Sequence, residues 1–315
     1  MQEHGLKAID TREMSRDEWL KARMQGIGSS DIGAILGFSK YKTAFEVWQE
    51  KTAECVIETI QTPAMKRGII FEDTVAEMYK AETGRMIWRD NKVRIHEALP
   101  FMLANLDRII PDLHDGRGTG ILEIKTVSSY AYKAWAEEIP NYYYAQLQHQ
   151  LFVTGWTWGE MAVCVVDTGE LNILPFERNE IFIEEMVDVA KLFWACVQSK
   201  NPPERVASDF SKSASVLGAK EATIDILAKC GTINSLKSHM KELKSETDTI
   251  IEEVQSFIGD CEKLTSSGEI IATWKRSKDG VTLDAKKLAA EKPEIYERYS
   301  ITKPGSRRFL MAKED

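Results

Sequence analysis

The chain has 315 residues, a net charge of −8, 43% hydrophobic and 29% charged side chains, enough for one large domain or a domain with a sizeable appendage. No apolar run approaches the roughly 18 residues of a membrane span, and MQEHGLKAIDTREMSRDEW does not resemble a signal peptide, so a cytoplasmic protein is expected. The scattered cysteines Cys55, Cys164, Cys196, Cys230 and Cys261 suggest neither a disulfide framework nor a C-x-x-C metal site.

Residues 1 to 60 read as helices with one Gly/Ser loop: SRDEWLKARMQ opens with a Ser15 to Glu18 capping box, GIGSSDIGAILG interrupts, and TAFEVWQEKT resumes. GIGSSDIG lacks the preceding strand and following G-K-[ST] of a nucleotide loop. TPAMKRGIIFEDTVAEMYKAETG has helical spacing through Ile69, Val75, Ala76 and Tyr79, with Gly84 as its stop. MIWRDNKVRIHEA, FMLANLDRIIPD and GILEIKTV then read as strands. SYAYKAWAEEIPNYYYAQLQHQLFVTG is broken by Pro140 into two helices, GEMAVCVVDT and ELNILPFE are further strands, and IFIEEMVDVAKLFWACVQ is a helix. The order predicts an α/β chain in which helices cover a mixed sheet. Trp135, Tyr142, Tyr143, Tyr144, Trp156 and Trp158 are read mostly as core, with one or two able to stack on bases, and His149 as packing or solvent-facing.

SKNPPERVASDFSKS reads as a linker dividing residues 1–200 from 201–315. Ile233, Leu236, Met240, Leu243, Thr247, Ile250, Val254, Phe257, Cys261 and Leu264 keep a 3-4 spacing, which fits either an amphipathic helix docked on its own domain or a coiled-coil arm or oligomer contact. A small module with a hairpin, a short helix and a last strand follows. Residues 201–315 carry 19 basic and 19 acidic side chains, so the acidic excess lies in the first 200, while residues 270–313 hold 11 basic against 5 acidic. An acidic chain with one basic face remains compatible with DNA.

The run LDRIIPDLHDGRGTGILEIKT concentrates the chemistry. A hairpin centred near Gly116 sets Asp107 against Lys125 and Ile109 against Glu123, so Asp107, Glu123 and Lys125 share a face. Asp112 falls on the other face and Asp115 in the turn. Paired carboxylates repel unless a cation lies between them, and oxygen ligands without histidine or cysteine suit Mg²⁺ or Mn²⁺. Cross-strand ion pairing explains the same residues without a metal.

Several motifs together resemble one family. GIGSSDIGAILG matches a G-x-x-x-S-D block, KRGIIFEDTVAEMY an R-G-x-x-x-E helix, ANLDRI an A-N-x-D-G block, LEIKT an E-x-K block and YYYAQLQHQLFVTG a Y-x-x-Q-x-Q helix that ends in V-T-G. In this the sequence resembles the phage-type alkaline exonucleases, the YqaJ-like recombinases similar to lambda exonuclease, over residues 20 to 200. TWKRSKDG, YERY and SRRFLM resemble the C-terminal extension of many such proteins. Arg108 stands where the family usually has glycine, a departure expected to be a tolerated surface change.

The resemblance implies a restriction-endonuclease-like PD-(D/E)xK core with an N-terminal helical segment and a helical or coiled-coil C-terminal extension. It implies that Asp107 and Glu123, with the Ile124 carbonyl, hold Mg²⁺, for which Mn²⁺ substitutes, and that Glu72 reaches a second metal or an outer water. Lys125 would orient or deprotonate the attacking water, and Gln146 would hold that lysine or the scissile phosphate. Arg23 and Ser30 would grip a 5′-terminal phosphate, with Asn105 a third candidate. Without the family match, Glu72 reads as a solvated carboxylate, Gln146 as a packed amide, and Arg23 and Ser30 as a surface arginine and a helix cap. The implied function is a Mg²⁺-dependent exonuclease on double-stranded DNA ends. It would digest 5′ to 3′ as a homo-oligomeric ring, a trimer by analogy, and pass 3′ tails to a single-strand annealing protein that docks on the basic tail or the heptad helix. The alternatives are another metallonuclease on the same core, and an inactive DNA-end-binding or coiled-coil scaffold.

Overall fold

The computed structural model describes residues 7–56, 61–112, 116–135, 138–211, 220–278, 280–301 and 309–311. It divides into two compact units, Met1–Phe210 and Ser211–Asp315.

In the first unit the elements are β1 (Lys7–Asp10), α1 (Arg16–Met24), β2 (Ile27–Gly28), α2 (Ser29–Ile35), α3 (Ala44–Thr52), α4 (Pro63–Thr83), β3 (Trp88–Arg89), β4 (Lys92–Ile95), β5 (Met102–Ala104), β6 (Arg108–Ile110), β7 (Gly120–Val127), α5 (Ser129–Lys133), α6 (Asn141–Thr154), β8 (Trp158–Val165), β9 (Glu170–Glu177), α7 (Glu180–Gln198) and α8 (Ala207–Ser211). The architecture is mixed α/β. The larger sheet runs β3-β6-β7-β8-β9, with β7 and β8 parallel and its other pairs antiparallel. A smaller sheet runs β1-β4-β5-β2.

Three features depart from the sequence reading. Residues 1 to 60 contain strand as well as helix, and the expected Gly/Ser loop is mostly β2 and α2. β2 lies parallel to β5, where a Cβ on Gly26 would stand 2.4 Å from the Phe101 carbonyl oxygen. That close approach is what the glycine permits. MIWRDNKVRIHEA (β3 and β4) and FMLANLDRIIPD (β5 and β6) are each two strands in two different sheets; the second leaves the small sheet after Ala104 and enters the large one at Arg108. The stretch expected as linker carries α8. There Thr43 donates to the Asp209 carboxylate, and Arg205 lies over the Phe45 ring at 4.5 Å.

The large sheet is buried on both faces by period-two alternation. Ile121, Met161 and Val163 pack in one cluster with Leu147 and Leu151 of α6 and Met186 and Ala190 of α7. Leu122, Ile124 and Ala162 pack in another with Val75, Ala76 and Tyr79 of α4. Local signals set the helix ends as expected: Ser15 and Glu18 form the capping box of α1, and Gly84 closes α4 at φ 67°.

The second unit comprises α9 (Ile224–Ile258), β10 (Lys263–Ser266), β11 (Glu269–Thr273), α10 (Ala285–Glu291) and α11 (Pro293–Tyr299). The predicted heptad run is too long at its C-terminal end. α9 stops at Gly259, at φ 56°, so Cys261 lies beyond the helix and Leu264 belongs to the β10-β11 hairpin. Leu236, Met240, Leu243, Ile250, Val254 and Phe257 of the seam are exposed. The expected last strand falls on or beside residues 302–308, outside the described residues.

Candidate functional site

β6 and β7 pair Arg108 with Leu122, Ile109 with Ile121 and Ile110 with Gly120. Continued by one residue, this ladder sets Asp107 level with Glu123, not with Lys125, a slip of two residues from the expected register. Because side chains alternate with period two, an even slip moves the pairing along the strand without moving any side chain to the other face. Beside the turn, Asp112 accepts from the backbone N–H of Gly116 at 3.1 Å and of Gly118 at 3.2 Å. Asp115 lies outside the described residues.

Asp107, Glu123, Lys125 and Gln146 come together. Asp107 Oδ2 accepts the Ile124 N–H at 2.8 Å. Lys125 Nζ donates to Glu123 Oε1 at 2.5 Å and lies 4.9 Å from the centre of the Tyr143 ring. Gln146 Nε2 also donates to Glu123 Oε1. Gln146 therefore holds the glutamate that holds the lysine, and does not hold the lysine itself.

One member was missed by the sequence reading. Gln150, fully buried, donates from Nε2 to Glu123 Oε2 at 2.7 Å and to the Asn105 carbonyl at 3.2 Å. The signal was present, since Gln146 and Gln150 are four apart on one helix and share a face.

Burial, and next the neighbouring Glu123, push the Asp107 carboxyl up to about 7. Burial works against the Lys125 ammonium, but Glu123 and Asp107 outweigh it and hold that group above its ordinary range. Two carboxylates side by side with a surplus of negative charge and hard oxygen donors fit a divalent cation such as Mg²⁺. Gln150 Oε1, buried and without a hydrogen-bond partner, marks a further oxygen in the same cluster. Among the described residues no group of three acidic, histidine or cysteine side chains is arranged to hold a metal. Asp107, Glu123, Gln150 Oε1 and backbone or solvent oxygens are thus the available donors.

Glu72 lies near enough to act on the Asp107 carboxyl, raising it, but is bonded to none of these side chains. Its carboxylate is taken by Arg108 Nη1 at 2.5 Å. Arg108 is not the surface change expected of it: its side chain is 5% exposed and reaches Glu72, Asp73 and the Asp107 carbonyl.

Arg23 and Ser30 form a second cluster, with Arg23 Nη2 donating to Ser30 Oγ at 2.8 Å. Beside them Asp31, 4% exposed, accepts the Gly28 N–H and pairs with Lys51 at 2.8 Å and Lys42 at 3.5 Å. Burial opposes its ionisation, but Lys51, Lys42 and Arg23 together hold the carboxyl far below its ordinary range. His149, fully buried, places Nδ1 3.1 Å from Ser29 Oγ and so ties α6 to the start of α2. Asn105 is not brought to Arg23 or Ser30 by any contact among the described residues; its amide donates to the Lys92 carbonyl at 3.0 Å.

Comparison with known proteins follows the same residues. The YqaJ-like viral recombinase domain profile matches residues 18–157. The YqaJ protein of Bacillus subtilis (strain 168) is 31% identical over 297 residues, 91% of each chain. The chain belongs to the YqaJ-like recombinase family. Among solved structures it is similar to the alkaline exonuclease LHK-Exo from Laribacter hongkongensis, at TM-score 0.50 and 20% identity over 58% of this chain and 93% of that one. That likeness shows a shared fold. The same values hold for LHK-Exo in complex with dAMP. The family read from the motifs is therefore the family the YqaJ-like chain belongs to. No helix among the described residues is long and apolar enough to cross a membrane.

Proposed function

We propose that this YqaJ-like protein is a Mg²⁺-dependent exonuclease that degrades the 5′-ended strand of double-stranded DNA and leaves 3′ single-stranded tails. The observation that carries the reading is the convergence of Lys125 and Gln146 on Glu123, with Asp107 beside it across the β6–β7 ladder, on a fold similar to that of an alkaline exonuclease. LHK-Exo has been solved with dAMP, a nucleotide, which favours a nucleic-acid substrate here. A divalent ion held by Asp107 and Glu123, with the Ile124 carbonyl as third ligand, would supply charge stabilisation for phosphodiester hydrolysis.

The chain's own residues do the rest. Lys125, held as an ammonium by Glu123 and Asp107, donates a hydrogen bond to the attacking water or a phosphate oxygen. Gln146 and Gln150 clamp the two oxygens of Glu123 and so fix the carboxylate against rotation. Arg23 and Ser30 grip the 5′-terminal phosphate, for which a guanidinium fork is suited.

By family resemblance, residues 1–200 form the PD-(D/E)xK catalytic domain and 201–315 an extension. The protein would work in the cytoplasm of a bacterial host as a ring, a trimer by analogy, beside a single-strand annealing protein that docks on the extension. Lys125→Ala tests the reading: Mg²⁺-dependent nucleotide release is lost while duplex binding is retained, and covalently closed DNA is spared by the wild type. Undiminished release from Lys125→Ala, or cutting of closed circles, contradicts it.

A further inference from the structure

Arg108 is a buried cation placed where the carboxylates of α4 need one. Its Nη1 donates to Glu72 Oε1 at 2.5 Å and to the Asp107 carbonyl at 2.6 Å, and its Nη2 to Asp73 Oδ1 at 2.5 Å. Arg89 also bonds Asp73 and lies 4.0 Å from Glu72 Oε1. Glu72 and Asp73 are thus matched by two guanidinium groups. Asp107 and Glu123 have one ammonium, Lys125, bonded to Glu123 alone. The charge left uncompensated lies on the Asp107 and Glu123 side.

We propose that the Arg108 guanidinium fills the place of a second cation on Glu72, so that the protein takes one divalent ion, at Asp107 and Glu123. Arg108, which Asp73 also holds, bonds the Asp107 carbonyl and so fixes the backbone that carries the metal-facing carboxylate, while Glu72 itself stays off the ion. A guanidinium with three acceptors and little contact with water is costly to displace, because its bonds to Glu72, Asp73 and the Asp107 carbonyl are lost together. It also needs no ion from solution. The inference rests on the nuclease reading of Asp107 and Glu123, and the experiment separates the two.

The full-length protein is titrated with Mn²⁺, and free ion is counted by electron paramagnetic resonance. One ion per chain is expected for the wild type, none for Glu123→Gln, and two for Arg108→Gly, in which Glu72 is released. Glu72→Gln keeps one ion with affinity altered by less than about threefold, against the roughly ten- to hundredfold loss expected where a metal-supporting group is removed. Two ions in the wild type, a folded Arg108→Gly that still binds one, or a tenfold or greater loss in Glu72→Gln overturns the proposal. If Arg108→Gly does not fold, Glu72→Gln decides alone. No bound ion in the wild type removes the metal reading of Asp107 and Glu123 itself, and this inference with it.

Discussion

Replacing Gln150 with methionine isolates the contribution of the residue that completes the Glu123 clamp. Methionine is close to glutamine in length and volume, so the fully buried site on α6 stays filled. What is lost is a bond to a carboxylate at 2.7 Å and a weaker one to the Asn105 carbonyl at 3.2 Å. Hydrogen bonds to charged groups contribute about 1.5–3 kcal/mol and neutral ones about 1 kcal/mol. Removing Gln150 Oε1, which has no partner, offsets part of that. The net is a destabilisation of about 1.5–3 kcal/mol, a fall of roughly 4–10 °C in Tm for a unit of this size. Circular dichroism melts of wild type and Gln150→Met in EDTA measure it directly. A Tm within about 1 °C of wild type would show that Gln150 does not hold Glu123, and would remove it from the site.

Further outcomes follow from other parts of the molecule. Burial pulls the His149 imidazole down from 6.5 to about 3, with Asp31 opposing the shift and His96 adding to it. The unfolded chain therefore takes up the proton first: stability is full above pH 6.5 and is lost as pH falls toward about 3. Between pH 6.5 and 5 the loss is about 2 kcal/mol, and His149→Gln should flatten that part of a urea-midpoint profile; parallel profiles for the two proteins would contradict it. Arg23→Ala should abolish discrimination between 5′-phosphate and 5′-hydroxyl duplex ends, a difference of about ten- to hundredfold for a charge-assisted contact; a preference left intact would place the end-binding group elsewhere. A Cβ on Gly159 would stand 2.4 Å from Phe176 and 2.6 Å from the Ile121 carbonyl, both across strand pairs. Gly159→Ala should cost about 1–3 kcal/mol by overpacking, and an unchanged Tm would show that β8 and β9 yield more readily than their register implies.

Much of the large sheet was legible because its strands announce themselves. GILEIKTV and ELNILPFE match β7 and β9 residue for residue, since the first is rich in β-branched residues, the second is a short largely apolar run, and turn residues follow both. Pro175 sits in β9 without disrupting it because β9 is an edge strand. The face shared by Asp107, Glu123 and Lys125 was legible for a similar reason, as period two survives an even slip of register. Register itself was not legible, because the period-two pattern sets the face a residue takes but leaves its partner across the ladder open to an even slip.

The division of FMLANLDRIIPD between two sheets was hidden because both halves are apolar and no proline or glycine separates them. Arg108 was misjudged for a general reason. Arginines are mostly exposed, and only the three-dimensional approach of Glu72 and Asp73 makes a buried one tolerable. Gln150 was passed over because the motif drew attention to Gln146 and Gln148. Gln148 in fact serves the fold, donating to the Glu177 carbonyl at 2.7 Å and accepting the Asn179 N–H at 2.8 Å.

The most direct measurement is a time course on linear duplex DNA labelled at either the 5′ or the 3′ end, with Mg²⁺ or EDTA. The account predicts that the 5′ label is released first, as a small product and only with Mg²⁺, while the 3′-labelled strand shortens from its far end, and that Glu123→Gln releases neither. Prior release of the 3′ label would contradict the proposed polarity. Release in EDTA, or by Glu123→Gln, would contradict the site built around Asp107, Glu123 and Lys125.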